Sequence, residues 1–191
     1  ATFSAHPLKI LNAIGDGGFL VTDNKNVYNF INKYKNHGLV GRDNVEIFGV
    51  NSRLDSINAG VLSYRLKKMN QIIKKRQKNI DLYKKLITAK EFQIINEKKN
   101  CINSNTMFIS VCERRDQLHD YLRGKEIEAL IYYGKALHQH TAFLKKFGNK
   151  KYPVAEKLVK KVISLPFHQY MSEKEIIHIA NMVNKFYDLT K

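Results

Sequence analysis

The chain has 191 residues, is 43% apolar and carries a formal net charge of +16, a length that suits one large or two small domains around buried cores. Its two cysteines, Cys101 and Cys112, lack CxxC spacing and exclude a disulfide scaffold. No apolar run is long enough to cross a bilayer and no secretory pattern opens the sequence, so a reduced, cytoplasmic setting without a membrane partner is expected.

The first section is the richest in chemistry. Ser4 stands five residues before Lys9, and Gly15, Asp16, Gly17 and Gly18 follow. An isolated loop lysine is ordinarily solvated and inert. Lys9, however, lies among Pro7, Leu8, Ile10, Leu11, Ala13 and Ile14. Apolar surroundings make an ammonium costly, lower its pKa and turn the amine into a nucleophile. Ser4 offers a short polar arm suited to an anionic group, and the glycines let the backbone turn sharply beside a ligand. Asp16 reads as a turn residue.

Residues 17–22 read as a buried strand. Residues 25–36 read as a helix, with Val27, Phe30, Ile31 and Tyr34 at helical spacing, Asn24 or Asp23 as the cap and Gly38 as the stop. A loop over 39–50 follows, and Ser52-Arg53-Leu54-Asp55 has the capping-box form that opens a helix. From there Leu62, Leu66, Met69, Ile73, Ile80, Tyr83 and Ile87 trace a near-heptad stripe, read as two helical segments.

The remainder alternates strands and helices, as a small α+β domain does. Residues 92–95, 107–111 and 130–133 are rich in strand formers. Residues 116–123 form a helix stopped by Gly124, and Pro153 opens another that ends before Pro166. Ser172 and Glu175 form a second capping box, starting a terminal helix through Tyr187 with Ile176, Ile179, Ala180, Val183 and Phe186 on one side.

Several single residues have two readings. His6 serves a ligand near Lys9 or a loop hydrogen bond. Asn51, just before a helix, reads by itself as a cap or turn residue, and Arg53 supports that loop or pairs with an acidic group, the structural role being favoured. His138 and His140 make an HxH pair, weak evidence for a metal without clustered carboxylates or cysteines, so none is expected. No acid is placed to complete a triad with Ser4 and His6, and GDGG lacks the GK[ST] ending of a nucleotide loop. His37, His119, His168 and His178 read as packing, capping or surface residues. The charge points first to nucleic acid. Yet Lys67-Lys68, Lys74-Lys75-Arg76 and Lys84-Lys85 lie along helical stretches without interleaved aromatics, as solvated helix faces do, so no nucleic-acid partner is expected.

The spacing of Ser4, Lys9 and Gly15-Asp16-Gly17-Gly18 resembles the cofactor loop of the DegT/DnrJ/StrS sugar-nucleotide aminotransferases. NHG at 36–38, GVNSRLDSINAGVL at 49–62, the segment 115–143 and YPVAEKLVKKVISLPFH at 152–168 follow the same family order, so the likeness covers nearly the whole chain. It implies an α/β fold, the C-terminal portion of a fold-type I pyridoxal-phosphate transferase. Residues 1–64 would end the large domain, 65–88 would form the connecting helix and 89–191 the small α+β domain. Pyridoxal phosphate would be held covalently by Lys9, with Ser4 on its phosphate. Asn51 would reach the phosphate of the other subunit's site, making a homodimer with shared sites. His138 would lie near the nucleotide sugar; Ala136 stands where the family usually has proline two positions before it.

The reaction implied is transfer of an amino group, from glutamate as the common donor, to a keto-sugar nucleotide during synthesis of amino sugars for surface polysaccharide or related glycans. A preceding segment of the same protein would supply the acid facing the pyridine nitrogen and the ring-stacking side chain, so these 191 residues alone should be inactive. The alternatives are a sugar dehydratase of the same fold, a regulatory relative that senses a metabolite, and a basic nucleic-acid-binding module.

Overall fold

A computed structural model describes residues 1–96 and 100–189. The chain divides into two compact units, Ala1–Gln71 and Ile72–Lys191.

In the first unit β1 (Thr2–Ser4) pairs antiparallel with β2 (Gly18–Leu20), Phe3 opposite Phe19 and Ser4 opposite Gly18. β2 is the centre of the expected 17–22 strand, but it is exposed within this chain and not buried, since among the described residues it pairs with β1 alone; β1 has no counterpart among the expected elements. Helix α1 (Lys25–Tyr34) starts where Asn24 accepts from the N–H groups of Asn26 and Val27, the N-cap bond that Asn makes well. It ends two residues before the expected 36, because Val50 and Ser52 donate their N–H groups to the carbonyls of Tyr34 and Lys35. The 39–50 loop contains a two-residue hairpin, β3 (Leu39–Val40) with β4 (Asn44–Val45). Helix α2 (Ser56–Leu66) begins after the expected capping box. Ser52 is held in the extended segment on Lys35, and Asp55 occupies the N-cap without a side-chain bond. Ala5, Ala13 and Leu62 are the buried centre of this unit, with Leu11 and Leu54 against them.

Helix α3 (Met69–Leu86) carries the chain into the second unit. The stripe does break into two helices, and only its later members Ile80, Tyr83 and Ile87 join a large core. β5 (Phe92–Ile94), β6 (Phe108–Cys112) and β7 (Val162–Leu165) form an antiparallel sheet in the order β5-β6-β7. Helix α4 (Arg115–Arg123) stops at Gly124 as expected. α5 (Thr141–Phe147), preceded by a 3-10 turn at Leu137–Gln139, was not foreseen. The helix expected between Pro153 and Pro166 is a short α6 (Pro153–Leu158), a turn and then β7. Val162 and Ile163 are β-branched, and pairing with Val111 and Ser110 of β6 decides their conformation. The expected 130–133 strand reduces to one bridge, Leu130 with Ser164; Tyr132 and Tyr133 turn away, half-exposed.

Helix α7 (Glu173–Asp188) has the expected box. Ser172 Oγ accepts from the Glu175 N–H, and the Glu175 carboxylate accepts from the Ser172 N–H. Its apolar side buries Ile176, Ile179, Ala180, Val183 and Phe186 against the sheet. Asn184 braces it to the end of α3, accepting from Thr88 and Ala89 and donating to Leu86 O. Tyr83 stacks on Phe108 at 4.7 Å and donates its hydroxyl to Pro166 O. Arg76 is buried with neutral partners, donating to the carbonyls of Asn105 and Thr106 and to Gln169; that burial pulls its pKa down. Among the described residues Ser110 Oγ is the one buried side-chain polar atom without a partner.

Candidate active site

In the first unit the chain from Ser4 to Gly18 closes around Ala5. The Ala5 N–H reaches Gly17 O, and the Ala13 N–H reaches Ala5 O, each at 2.8 Å. Lys9 stands on a tight turn, its N–H on His6 O at 2.8 Å. His6 orders the same turn, its Nδ1 accepting from the Leu8 N–H at 3.1 Å and its Nε2 lying 3.8 Å from the Asp16 carboxylate. Asn58 of α2 accepts from the Ile14 N–H and pins the far end of the loop. Gly18 must be glycine, since a Cβ there would meet Phe3 O at 2.7 Å across the β1–β2 pair.

Lys9 is exposed. The apolar surroundings expected from sequence do not bury it within this chain: Ile10 and Ala13 turn inward, while Leu8 is 71% and Ile14 62% exposed. The amine has no ion pair among the described residues. Ser4 Oγ accepts from the His6 N–H at 3.4 Å and keeps its own proton to donate.

A second construction in this unit presents Asn51. Asn36-His37-Gly38 and the run from Gly49 to Arg53 are clasped backbone to backbone. His37 N–H donates to Val50 O, Asn36 bridges Asn51, and Arg53 donates to the Asn36 side chain at 2.7 Å. Arg53 thus has the supporting place expected of it. The clasp tolerates no side chain at its glycines: a Cβ on Gly38 would lie 1.6 Å from Ile47 O, and one on Gly49 would lie 2.3 Å from Gly38 N. Asn51 is exposed at its edge and lines a groove of about 1120 Å³ with Gly17, Gly18, Tyr28, Lys35 and Arg53. Ser4 and Lys9 lie outside that groove's walls, so the structure does not bring Asn51 together with Lys9 in one cavity.

In the second unit His138 lies in the wall of an apolar cavity of about 710 Å³ that Tyr132, Tyr133, Phe143 and Tyr152 also line. Its ring is buried, packs on Tyr152 at 4.8 Å and meets Glu156 with Nε2 at 3.0 Å from Oε1. Glu156 also accepts from the Tyr152 N–H at 2.8 Å. That backbone bond, and then the His138 bond, hold its carboxyl below the usual carboxylate range. Ala136 donates its N–H to Gln139 Oε1 at 3.0 Å, a bond that proline could not make. His140 lines the same cavity but is exposed. No group of three His, Cys, Asp or Glu side chains suited to a metal occurs among the described residues. Glu156 and the aromatic walls escaped the sequence reading. A glutamate four residues after Tyr152, just past Pro153, signals a helix start but says nothing of a histidine 18 positions away.

Among the described residues no helix is long and apolar enough to cross a membrane. The model of the DegT/DnrJ/EryC1/StrS aminotransferase family matches residues 1–184. The chain is 28% identical to the GDP-perosamine synthase of Escherichia coli O157:H7, covering 98% of this chain and 51% of that protein. It is equally similar, with the same coverage, to a pleiotropic regulatory protein of Geobacillus stearothermophilus. Among solved structures, a DegT DnrJ EryC1 StrS aminotransferase from Brucella abortus matches with TM-score 0.90 and 28% identity over 97% of this chain and 50% of that one. S. venezuelae DesV matches with TM-score 0.93 and 25% identity over 98% and 51%. The chain spans about half the length of the curated relatives it matches.

Proposed function

We propose, since this chain belongs to the DegT/DnrJ/EryC1/StrS aminotransferase family, that the protein of which it forms part moves an amino group from an amino acid, with glutamate the expected donor, to a keto-sugar nucleotide. The family is pyridoxal-phosphate dependent. One observation carries the reading: an exposed, unpaired amine and a hydroxyl with a proton to donate share one short loop closed over Ala5. That donor set fits a group bearing an aldehyde and a phosphate.

When bound, the cofactor supplies an electron sink for the carbon next to the transferred nitrogen. Lys9 holds it and moves a proton at Nζ. Ser4 donates its hydroxyl to the phosphate, and the Asn51 amide donates to the phosphate in the partner subunit's site. The clasp at Gly38 and Gly49 supports this role for Asn51, because it holds that side chain at an exposed edge, in a groove whose walls do not include Lys9. His138 contacts the nucleotide sugar. Residues 1–64 end the large domain, 65–88 connect and 89–191 make the small domain; the protein is a cytoplasmic homodimer, and the amino sugar enters surface polysaccharide or a related glycan. The acid facing the ring nitrogen and the stacking side chain come from elsewhere in the protein.

Borohydride trapping of the full-length protein loaded with pyridoxal phosphate, followed by peptide mapping, should place the pyridoxyl adduct on Lys9. Lys9→Ala should remove the cofactor's visible absorbance and all transamination while leaving the thermal midpoint in place. An adduct on another lysine, or normal turnover in Lys9→Ala, would overturn the assignment. A dehydratase would yield a sugar that has lost oxygen and gained no nitrogen. A nucleic-acid module would show retention on DNA or RNA that falls steeply with salt, without visible absorbance.

A further inference from the structure

Building on His138 as a nucleotide-sugar contact, we infer that Glu156 is a positioning residue for that contact: it fixes the His138 ring so that Nε2 carries the proton and Nδ1 is the acceptor offered to an O–H or N–H donor of the bound ligand.

An ionised carboxylate can only accept hydrogen bonds. With Glu156 held in its ionised form by the Tyr152 N–H, the 3.0 Å contact from His138 Nε2 leaves one arrangement, Nε2–H donating to Oε1. In the neutral ring the other nitrogen is then an acceptor. Nδ1 has no partner among the described residues, and it is not one of the sealed, unpartnered atoms, which number only Ser110 Oγ. The histidine side chain is 7% exposed and that of Glu156 33%. The ring is thus shielded from water while the carboxylate keeps an open face.

The carboxylate is itself placed before any ligand arrives. Pro153 opens α6 with its fixed φ, Glu156 falls in the first turn, and its Oε1 closes that turn on the Tyr152 N–H. Tyr152 then packs its ring on the imidazole, and Phe143 presents an edge to it at 6.4 Å. The ring is thus gripped from two sides and oriented at Nε2, as supporting carboxylates orient imidazoles elsewhere. Aromatic walls at Tyr132 and Tyr133 offer apolar surface to the ring faces of a ligand, while His138 supplies directionality.

The test is a double-mutant cycle in the full-length protein with Glu156→Ala and His138→Phe. Both bonds fall on the one oxygen Oε1, which a glutamine carbonyl also offers, so the conservative Glu156→Gln should rescue what Glu156→Ala loses. Glu156→Ala should raise KM for the nucleotide sugar about tenfold, with kcat changed by less than about twofold. In the His138→Phe background the same substitution should change KM no further, because Glu156 acts only through the ring. Additive effects would overturn the inference. A second readout needs no turnover: the imidazole nitrogen shifts of 15N-labelled protein should show His138 protonated at Nε2 in the wild type and mixed tautomers in Glu156→Ala. A wild-type ring protonated at Nδ1 would overturn the inference whether or not the protein transaminates. The expected tautomer in a protein without transaminase activity would sink only the functional reading.

Discussion

The two units are built on different physical terms. Among the described residues, the second packs 18 buried ones, from Ile80 to Tyr187, into one core around a three-stranded sheet. The first buries Ala5, Ala13 and Leu62 as its centre, and its helix α1 has no buried residue although Val27, Phe30, Ile31 and Tyr34 share a face. It gains order from backbone geometry: loop closure over Ala5, the Gly38–Gly49 contact and the bonds that tie Val50 and Ser52 to the end of α1. The residues read as holding the cofactor are all on this thinly cored unit, and the residue read as touching the sugar is on the densely packed one. Anchoring a covalent group needs a fixed main chain close to the ligand, which glycines and hydrogen bonds provide. Shaping a pocket for a ring needs side-chain walls, which a dense core supports.

The sharpest way to break this contrast is to make the same truncation in both units. Phe108→Ala removes a ring stacked on Tyr83 at 4.7 Å in the sheet, and should cost about 3–5 kcal/mol of global stability in urea unfolding. Phe30→Ala removes a ring that is 52% exposed on α1, and in this 191-residue chain should change stability by less than about 0.5 kcal/mol. Equal costs would mean that the first unit holds a side-chain core that its burial pattern does not show.

The next test separates backbone from side-chain order. Gly41 has φ +73 with nothing within 4 Å of an added Cβ, so Gly41→Ala isolates the left-handed penalty of about 1–2 kcal/mol. Gly38 has φ +77 and an added Cβ would fall 1.6 Å from Ile47 O, so Gly38→Ala must also open the clasp. Hydrogen exchange at the His37, Val50 and Ser52 amides should accelerate about a hundredfold in Gly38→Ala, with the β6 and β7 amides unchanged. Equal effects from the two substitutions would show that conformational strain alone, and not the close approach, holds Asn51 in place.

The same division explains what could be read in the sequence. Helix α7 was legible because its cap and its stripe are both local: Ser172 and Glu175 are three residues apart, and the buried positions recur at helical spacing. Ser4, Lys9 and the glycines were legible as a motif for the same reason. β7 was hidden because Val162–Leu165 lies in a stretch between two prolines whose strand character comes from β6, about fifty residues earlier in the chain. The 130–133 segment has strand composition but only one residue that meets a partner. Lys9 is exposed although its neighbours in sequence are apolar, because those neighbours do not surround it in space. Ile10 and Ala13 turn inward beneath the turn while the amine stands outside it. Glu156 could not be found at all from local spacing, since its bond to His138 joins the start of α6 to a 3-10 turn.

The smallest effect concerns two helix caps, one in each unit. Asp55 opens α2 in the first unit without a side-chain cap bond, so Asp55→Asn should leave stability unchanged. Ser172 and Glu175 open α7 in the second with both bonds of the box. The Glu175 carboxyl is held below its usual range, first by the Ser172 N–H and then by the Ser172 hydroxyl. A carboxyl whose folded pKa lies below its unfolded one adds stability that is fully present above the unfolded pKa and lost as pH falls through the folded one. Glu175→Gln keeps an acceptor and removes only the charge. Its thermal midpoint should therefore trail the wild type at neutral pH, and the gap should close as pH drops through about 4. A gap that persists in acid would place the contribution of Glu175 in its packing and not in its charge.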